Sequence, residues 1–376
     1  DDYGYSKDLL IGREDDGRSV VGVSFVGCWI AGAGDSFTTP WVQVAAHEGD
    51  WRAGADLYRP FAQKAFGPLD APERVREMPT AQCWLAHHAS DGDLGKLFEV
   101  QRQAPIHASY LVKSLNTSIP EGWDGSRGSA LELEDAFSRI RALGGSPALF
   151  TFDRAPFMGR PNYAAHAGDW TCVRRDGSFA EGFRDMMPSP FDEDLVRARV
   201  GEAARWVQAF GIDEIHFDTA ATTGPSLAGP SYRMDMPKKP NEVPHYFKAL
   251  YRAIRDECRK HNPEFSLRAE HCADFFFPEF LTSTAHFFET ANLVLKHNAP
   301  ADAQLLPDLF RTTLPGHACL EMPSMSDSDF WTYCYGMGYG FHGGGPSWCF
   351  NPGVREPETP PGELLHRYRF YDAQWR

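Results

Sequence analysis

Hydrophobic and polar positions alternate with two different periods along most of this chain. Apolar residues recur every three or four positions in three stretches, which predicts helices over 131–143, 189–210 and 241–261. Short apolar runs predict buried strands over 81–88, 106–112, 147–153, 212–218 and 265–270. Strands that alternate with helices are typical of a parallel sheet, so the pattern over 78–376 predicts an α/β barrel of eight strands.

The pattern is less regular after residue 274. We expect the sixth strand at 285–289 or 293–296, the seventh at 312–320 and the eighth at 339–342. Segment 154–188 is rich in Gly and Pro and has little periodicity, which predicts a long loop over the rim of the barrel.

The residues before the barrel follow a different pattern. Apolar stretches at 19–29 and 39–45, separated by Gly and Pro, are typical of antiparallel strands and predict that residues 1–47 end an N-terminal β-domain. Residues 48–77 contain a predicted helix that links this part to the barrel. The chain starts without Met or a signal-peptide pattern and stops inside a helical pattern, so we expect a processed or partial chain without its C-terminal domain.

Composition narrows the classes of function. With 42% hydrophobic and 23% charged residues, the sequence is typical of a soluble globular protein, either cytoplasmic or exported, and its oligomeric state stays open. The net charge of -14 argues against nucleic acid or a membrane surface as partner, because both require clustered Lys and Arg. The sequence has no apolar run long enough to span a membrane. Its eight cysteines include no C-x-x-C pair, which predicts buried thiols rather than a zinc site.

The strongest candidate chemistry lies at the ends of two successive strands. Asp218 follows the apolar residues of one predicted strand, and Glu270 ends the next. A buried carboxylate is costly unless it is paired or used, and barrels carry their active sites at the carboxyl ends of the strands. Two acids on one rim match the nucleophile and the acid of a glycosidase. The structural alternatives are a turn capped by Asp218 and an ion pair between Glu270 and Arg268.

The surroundings predict how the two acids differ. Asp218 precedes a Thr-rich loop whose hydroxyl and amide groups would stabilise an ionised carboxylate, as a nucleophile requires. Glu270 precedes the apolar run Phe275–Phe277, and loss of water together with the charge of Asp218 would raise the pKa of Glu270, as a general acid requires. Arg268 lies two residues before Glu270 on the same strand face and acts against this assignment.

Four short motifs occur in order along the chain: GDWRAGADLYR at 49–59, GIDEIHFD at 211–218, AEHCAD at 269–274 and LFRTTLP at 309–315. Together they resemble a glycoside-hydrolase-like family with a (β/α)8 TIM-type barrel, related to the endo-α-N-acetylgalactosaminidases and α-galactosidases. The resemblance implies a β-sandwich before the barrel and a retaining hydrolase of α-glycosides, with Asp218 as nucleophile and Glu270 as acid/base. In the α-galactosidase branch the acid comes from the following strand, so Asp274 or Glu289 would replace Glu270.

A carbohydrate substrate needs polar and aromatic side chains around the two acids. The expected hydroxyl ligands are Asp153, Asp274, His87, His88, His216 and His342, and the expected stacking platforms are Trp84, Trp170 and Trp348. We expect no cofactor and no metal ion in this reaction.

Two other functions stay open. Histidines near the strand ends would suit a metal-dependent hydrolase, but His87 and His88 are adjacent and face opposite sides of a strand, which is poor spacing for one ion. A barrel that binds carbohydrate without cleaving it fits the same residues, because a fold does not determine an activity.

Overall fold

The computed structural model of this chain describes residues 6–26, 34, 41–66, 72, 80–86, 107–113, 130–142, 145–152, 165–174, 176–180, 188–218, 242–270, 274–284, 313, 319–321 and 340–342. Contacts divide the chain into two compact units. The first comprises Asp1–Ala45, Arg154–Arg199 and Thr222–Ala253, and the second comprises Ala46–Asp153, Val200–Ala221 and Ile254–Arg376. The domain boundaries expected at residues 47 and 77 stay predictions.

Ten strands and five α-helices lie within the described residues. The strands are β1 (Ser6–Arg13), β2 (Ser19–Val26), β3 (Thr80–Ala86), β4 (His107–Lys113), β5 (Ser146–Phe152), β6 (Glu214–Asp218), β7 (Ser266–Glu270), β8 (Leu281–Thr284), β9 (Cys319–Glu321) and β10 (Gly340–His342). The helices are α1 (Trp51–Phe66), α2 (Ala130–Ala142), α3 (Ala167–Trp170), α4 (Glu193–Phe210) and α5 (Val243–Arg259).

Eight parallel strands of the second unit pair in a closed ring. Their order is β10-β3-β4-β5-β6-β7-β8-β9, and each neighbouring pair is parallel. In a closed parallel sheet all strands end at the same edge, so the last residues of β6 and β7 lie on one rim.

Strands β6 and β7 are buried on both faces. Each has an apolar face and a polar face, because side chains alternate along a strand. The apolar faces carry Ile215, Phe217, Leu267 and Ala269, and the polar faces carry Glu214, His216, Ser266 and Arg268. Two of these polar residues are ionised at neutral pH as free side chains, and burying them requires compensation from within the protein.

The last barrel strands differ from the sequence prediction. β8 begins at Leu281, whereas both positions expected for the sixth strand lie after it and outside the described residues. The prediction was wrong because this short strand has a single strongly apolar residue and therefore no hydrophobic pattern. β9 overlaps only the end of the expected segment 312–320, and β10 lies within 339–342.

The first unit begins with an antiparallel hairpin. In it β1 pairs with β2, and Leu10 lies opposite Gly22. The sequence prediction missed β1, whose mixed charged and apolar residues do not alternate, and it wrongly expected a strand over 39–45. The described residues Trp41–Ala45 have no regular secondary structure, and the Trp41 side chain is fully exposed. Of the β-sandwich expected at this end of the chain, the structure describes one hairpin, and the sandwich itself stays a prediction.

Part of the predicted loop 154–188 has local structure. Helix α3 is followed by two antiparallel bridges, one of which joins Thr171 to Pro188. Cys172 is fully buried, and its Sγ donates a hydrogen bond to the carbonyl of Pro188 at 3.3 Å. Isolated bridges produce no run of alternating residues, so the periodicity of the sequence did not reveal them. The position of this segment over the barrel rim stays a prediction.

Asp192 caps helix α4. The hydrophobic pattern extended this helix back to Ser189, but the helix begins directly after Asp192. The Asp192 carboxylate accepts hydrogen bonds from the amides of Asp194 at 3.0 Å and Leu195 at 3.1 Å. Asp and Ser are comparable caps, and Asp adds a negative charge that the positive end of the helix favours.

Candidate active site

Asp218 and Glu270 are the last residues of β6 and β7, two neighbouring parallel strands. The register pairs Phe217 with Ala269, and its continuation by one residue brings Asp218 opposite Glu270. Neighbouring strands lie about 4.8 Å apart, so the backbone brings the two acids side by side at one edge of the ring. The side chains of both acids lie outside the described part of the chain.

A buried ion pair lies deeper on the same strand faces. Alternation puts Glu214 and His216 on the face of Asp218, and Arg268 on the face of Glu270. Nε of Arg268 donates a hydrogen bond to Oε2 of Glu214 at 3.0 Å, and Nη2 approaches the same oxygen to 2.9 Å without hydrogen-bond alignment. The two side chains are 1% and 0% exposed, so water does not share this interaction.

The sequence did not predict this ion pair. Arg268 binds Glu214, which lies two residues nearer the start of β6 than His216, the register partner of Arg268. The alternative of an ion pair between Arg268 and Glu270 stays a prediction, because the Glu270 side chain lies outside the described part of the chain. The sequence did contain a signal for the contact between Arg268 and Glu214. An acid on the polar face of a short buried strand needs a cation nearby, and Arg268 is the basic residue of the next strand.

Hydrogen bonds just before β6 hold three strands in register. The amide of Asp213 donates to the carbonyl of Pro147 at 2.8 Å, and the amide of Ser266 donates to the carbonyl of Asp213 at 3.0 Å. Nδ2 of Asn262 donates to the carbonyl of Ile212 at 3.2 Å and to Oδ1 of Asp213 at 2.8 Å. These contacts join the starts of β5, β6 and β7 and thereby support the register that brings the two acids together.

The turn between α4 and β6 sets where β6 begins. Gly211 has φ of 58°, a left-handed conformation that glycine adopts without strain. Arg141 of α2 donates from Nη1 to the carbonyls of Phe210 at 2.8 Å and Gly211 at 3.0 Å. A cation at the end of α4 satisfies carbonyls that have no partner within the helix and complements the helix dipole.

The structure describes part of the expected sugar-binding set. Asp153, His87, His88 and Trp348 lie outside the described residues. For three more, the backbone alone is described: Asp274 begins a 3₁₀ turn, Trp84 lies within β3 and His342 ends β10. Of these three, His342 shares with the two acids a position at the carboxyl end of a barrel strand.

His216 and Trp170 are described with their side chains. His216 is 0% exposed and lies two residues before Asp218, so its imidazole is closed off from solvent. Trp170 belongs to the first compact unit, where its ring stacks on His166 with centroids 4.4 Å apart and packs against Leu195. One face of the indole is therefore already occupied. The assignment of both residues as sugar ligands stays a prediction.

The apolar run after Glu270 is buried. The Phe277 ring meets Phe66 of α1 with centroids 6.5 Å apart, and the Phe275 and Phe276 rings meet at 5.0 Å. The run thus packs on itself and on α1. Its predicted effect on the hydration of Glu270 stays a prediction.

The residues with described side chains include two free cysteines and no cluster of potential metal ligands. Within the described ranges, no three His, Cys, Asp or Glu residues converge as ligands for one ion. The two cysteines with described side chains, Cys172 and Cys258, are buried free thiols, in line with the prediction. Burial, together with the charge of Glu257, raises the pKa of Cys258 well above its ordinary value. No described helix combines the length and the apolar character needed to cross a membrane.

Several solved structures share the fold of this chain. No family model and no curated protein sequence matches this chain. The GH36 alpha-galactosidase AgaA from Geobacillus stearothermophilus matches with a TM-score of 0.57 and 12% identity, over 86% of this chain and 45% of its own. The noncanonic maltogenic alpha-amylase AmyB from Thermotoga neapolitana matches with a TM-score of 0.58 and 10% identity, over 81% of this chain and 78% of its own. This chain shares its fold with these two glycoside hydrolases.

The shared fold is the one that the family resemblance in the sequence implied. An alpha-amylase from Lactobacillus plantarum matches as well, with a TM-score of 0.55 and 12% identity over 80% of this chain and 81% of its own. The chain spans 45% of the length of the alpha-galactosidase from Geobacillus stearothermophilus.

Proposed function

We propose that this chain is the catalytic barrel of a retaining glycoside hydrolase, with Asp218 as nucleophile and Glu270 as general acid/base. The observation that carries the proposal is the register of β6 and β7, which supports neighbouring positions for the two acids at the carboxyl edge of a glycoside-hydrolase fold. In this proposal the ring of strands is a (β/α)8 barrel of the TIM type. The hairpin β1–β2 is the end of a β-sandwich domain that precedes it.

The spacing of the two strands supports retention of configuration. Retaining enzymes hold their carboxyl groups about 5–5.5 Å apart, whereas inverting enzymes leave about 6.5–9.5 Å for a water molecule. Residues that face each other on neighbouring strands start about 4.8 Å apart, which favours the shorter separation. Asp218 then attacks the anomeric carbon while Glu270 protonates the leaving oxygen. In the second step, Glu270 takes a proton from the water that releases the sugar.

The substrate in this proposal is an α-glycoside within a carbohydrate. The similar structures are named as an alpha-galactosidase and alpha-amylases, whose names imply α-glycosidic bonds. The two carboxylates need no cofactor. The proposed sugar ligands around them are Asp153, Asp274, His87, His88, His342, Trp84 and Trp348.

Aryl glycosides of both anomeric configurations test this function. We expect turnover of at least one nitrophenyl α-glycoside, with the same anomer as first product in proton NMR. Asp218→Ala abolishes turnover, whereas Glu270→Ala keeps turnover of substrates with good leaving groups and regains activity with azide. Glu264→Ala, which changes an exposed glutamate before β7, is the matched control and keeps the wild-type rate.

The same assays identify the other functions. A folded protein that binds sugar and turns over none of the aryl glycosides is a carbohydrate-binding barrel, and activity that is lost with chelator and restored by zinc or manganese indicates a metal-dependent hydrolase. If Glu270→Ala leaves the rate on poor leaving groups unchanged, then Glu270 is not the acid. Asp274 and Glu289 are the residues to replace next.

A further inference from the structure

We propose that Glu214 is a positioning residue for the acid chemistry of this site. It binds Arg268 and cancels its charge, so that Glu270 at the end of the same strand face can carry a proton. This inference rests on the proposed function, in which Glu270 is the general acid.

The ion pair has the burial that such a role requires. Arg268 and Glu214 are 1% and 0% exposed, so solvent does not screen the charge of either side chain. Among the described residues, Glu214 is the acid within ion-pair distance of Arg268. A guanidinium at this depth is strongly unfavourable without an anion, because few other groups can replace its lost hydration.

The partner of Arg268 comes from a residue deeper in the barrel than Glu270. Arg268 lies opposite His216 in the register, and the Glu214 carboxylate comes from a residue two positions nearer the start of β6. Glu270 lies two positions in the other direction along β7, which corresponds to about 7 Å of strand. Glu214 therefore neutralises the cation from a residue that lies towards the start of the strands, whereas Glu270 lies towards their end.

The charged or titratable neighbours of Glu270 on the described strands are few. Its own strand contributes Arg268, and β6 contributes His216 and, by continuation of the register, Asp218. On the other side it pairs with Ser283 of β8, a strand without an ionisable residue. With the charge of Arg268 cancelled, the charge of Asp218 dominates and favours the protonated form of Glu270.

Glu214→Gln tests the inference, because it keeps the shape of the side chain and removes its charge. An uncompensated cation on the residue two positions before Glu270, on the same strand face, favours the ionised form, so the acid loses its proton at a pH lower by about one unit. We expect the alkaline limb of the pH profile of kcat/KM on a nitrophenyl α-glycoside to move down by this amount. The infrared band of the protonated carboxyl group, assigned by comparison with Glu270→Gln, shifts its titration midpoint equally.

The infrared titration needs no substrate, so it separates this inference from the proposed function. If no aryl glycoside is cleaved, the proposed function fails. The titration midpoint of the Glu270 carboxyl band can still be compared between the wild type and Glu214→Gln, and it tests the role of Glu214. A midpoint that stays at the wild-type value in folded Glu214→Gln overturns the inference. If the wild-type protein shows at no pH a protonated-carboxyl band that Glu270→Gln removes, both the proposed function and the role of Glu214 are overturned.

Two control variants distinguish charge from packing. Glu257→Gln makes the same chemical change in an exposed pair, whose partner Lys260 lies 2.6 Å away, and leaves the midpoint unchanged. The double variant Glu214→Leu/Arg268→Met removes both buried charges. Proteins often tolerate the replacement of a buried ion pair by apolar residues of similar size. We expect the midpoint of the double variant to return to the wild-type value; a midpoint that stays low contradicts the electrostatic role.

A folding defect does not end the test. If circular dichroism shows that Glu214→Gln does not fold, Glu214→Asp takes its place, because it keeps the charge and draws the carboxylate back from Arg268 by one methylene group. We then expect a smaller downward shift of the same midpoint. No shift in folded Glu214→Asp refutes the inference.

Discussion

Replacing Gly211 by Ala perturbs the turn that leads from α4 into the strand of Asp218. A residue other than glycine at φ of 58° costs about 1–2 kcal/mol. The added Cβ would lie 3.0 Å from Nη1 of Arg141, so the guanidinium must move and its two hydrogen bonds to the helix end weaken by about 0.5–1 kcal/mol. Reduced freedom of the unfolded chain offsets about 0.5 kcal/mol. We therefore expect Gly211→Ala to destabilise the protein by about 1–2.5 kcal/mol.

Gly201→Ala is the matched control within the same helix. Gly201 lies in the interior of α4, and its added Cβ would meet Nη1 of Arg205 at 3.9 Å, which is an ordinary contact. Alanine is favoured over glycine inside a helix by about 0.5–1 kcal/mol. The same chemical change is therefore expected to stabilise the protein at residue 201 and to destabilise it at residue 211.

Urea denaturation followed by tryptophan fluorescence measures both effects, with the slope of the transition compared between variants so that the midpoints report stability. In an Arg141→Met background, Gly211→Ala should cost about 0.5–1 kcal/mol less, because the guanidinium contact is already absent. A Gly211→Ala protein that is as stable as the wild type refutes the reasoning. Equal costs in both backgrounds refute the part assigned to Arg141.

Three other perturbations test local features of the fold. Asp192→Ala removes the cap of α4 and should lower the free energy of unfolding by about 1 kcal/mol in urea denaturation. Asp192→Asn should keep most of the wild-type stability, because Asn is a comparable cap. Cys258, whose pKa is raised by burial, should resist iodoacetamide at mildly alkaline pH until urea is added, and mass spectrometry of its peptide would expose any alkylation of the folded protein. The Ser178 hydroxyl lies 2.6 Å from Oδ1 of Asp176 and lowers the pKa of that carboxyl, so Ser178→Ala should raise the pKa towards its ordinary value in carboxyl NMR. The stabilisation linked to this lowered pKa is present above the ordinary value and is lost as the pH falls through the lowered one; an unchanged pKa in Ser178→Ala would rule out the hydroxyl as its cause.

The sequence by itself determined the elements that carry the two acids. These elements follow from local features that each act within a few residues of the chain. The features are the helical period over α4 and α5, the glycine that ends α4 and the apolar runs of β6 and β7. They were sufficient to predict that Asp218 and Glu270 end successive strands. The sequence predicted Ser189 as the cap of α4, whereas the structure has Asp192. Both residues are good caps, and only the position of the first helical turn selects between them.

The tertiary structure alone decided which residues meet across the strands. Arg268 and Glu214 are 54 residues apart, and alternation along each strand indicates a face but neither the neighbouring strand nor the register. The register depends on long-range hydrogen bonds such as those of Asn262 to the residues before β6. The sequence offered Glu270, two residues away, as one alternative partner of Arg268, and it did not predict Glu214. The fold brings Glu214 within 3.0 Å of Arg268, because pairing of the two strands overcomes the long separation along the chain.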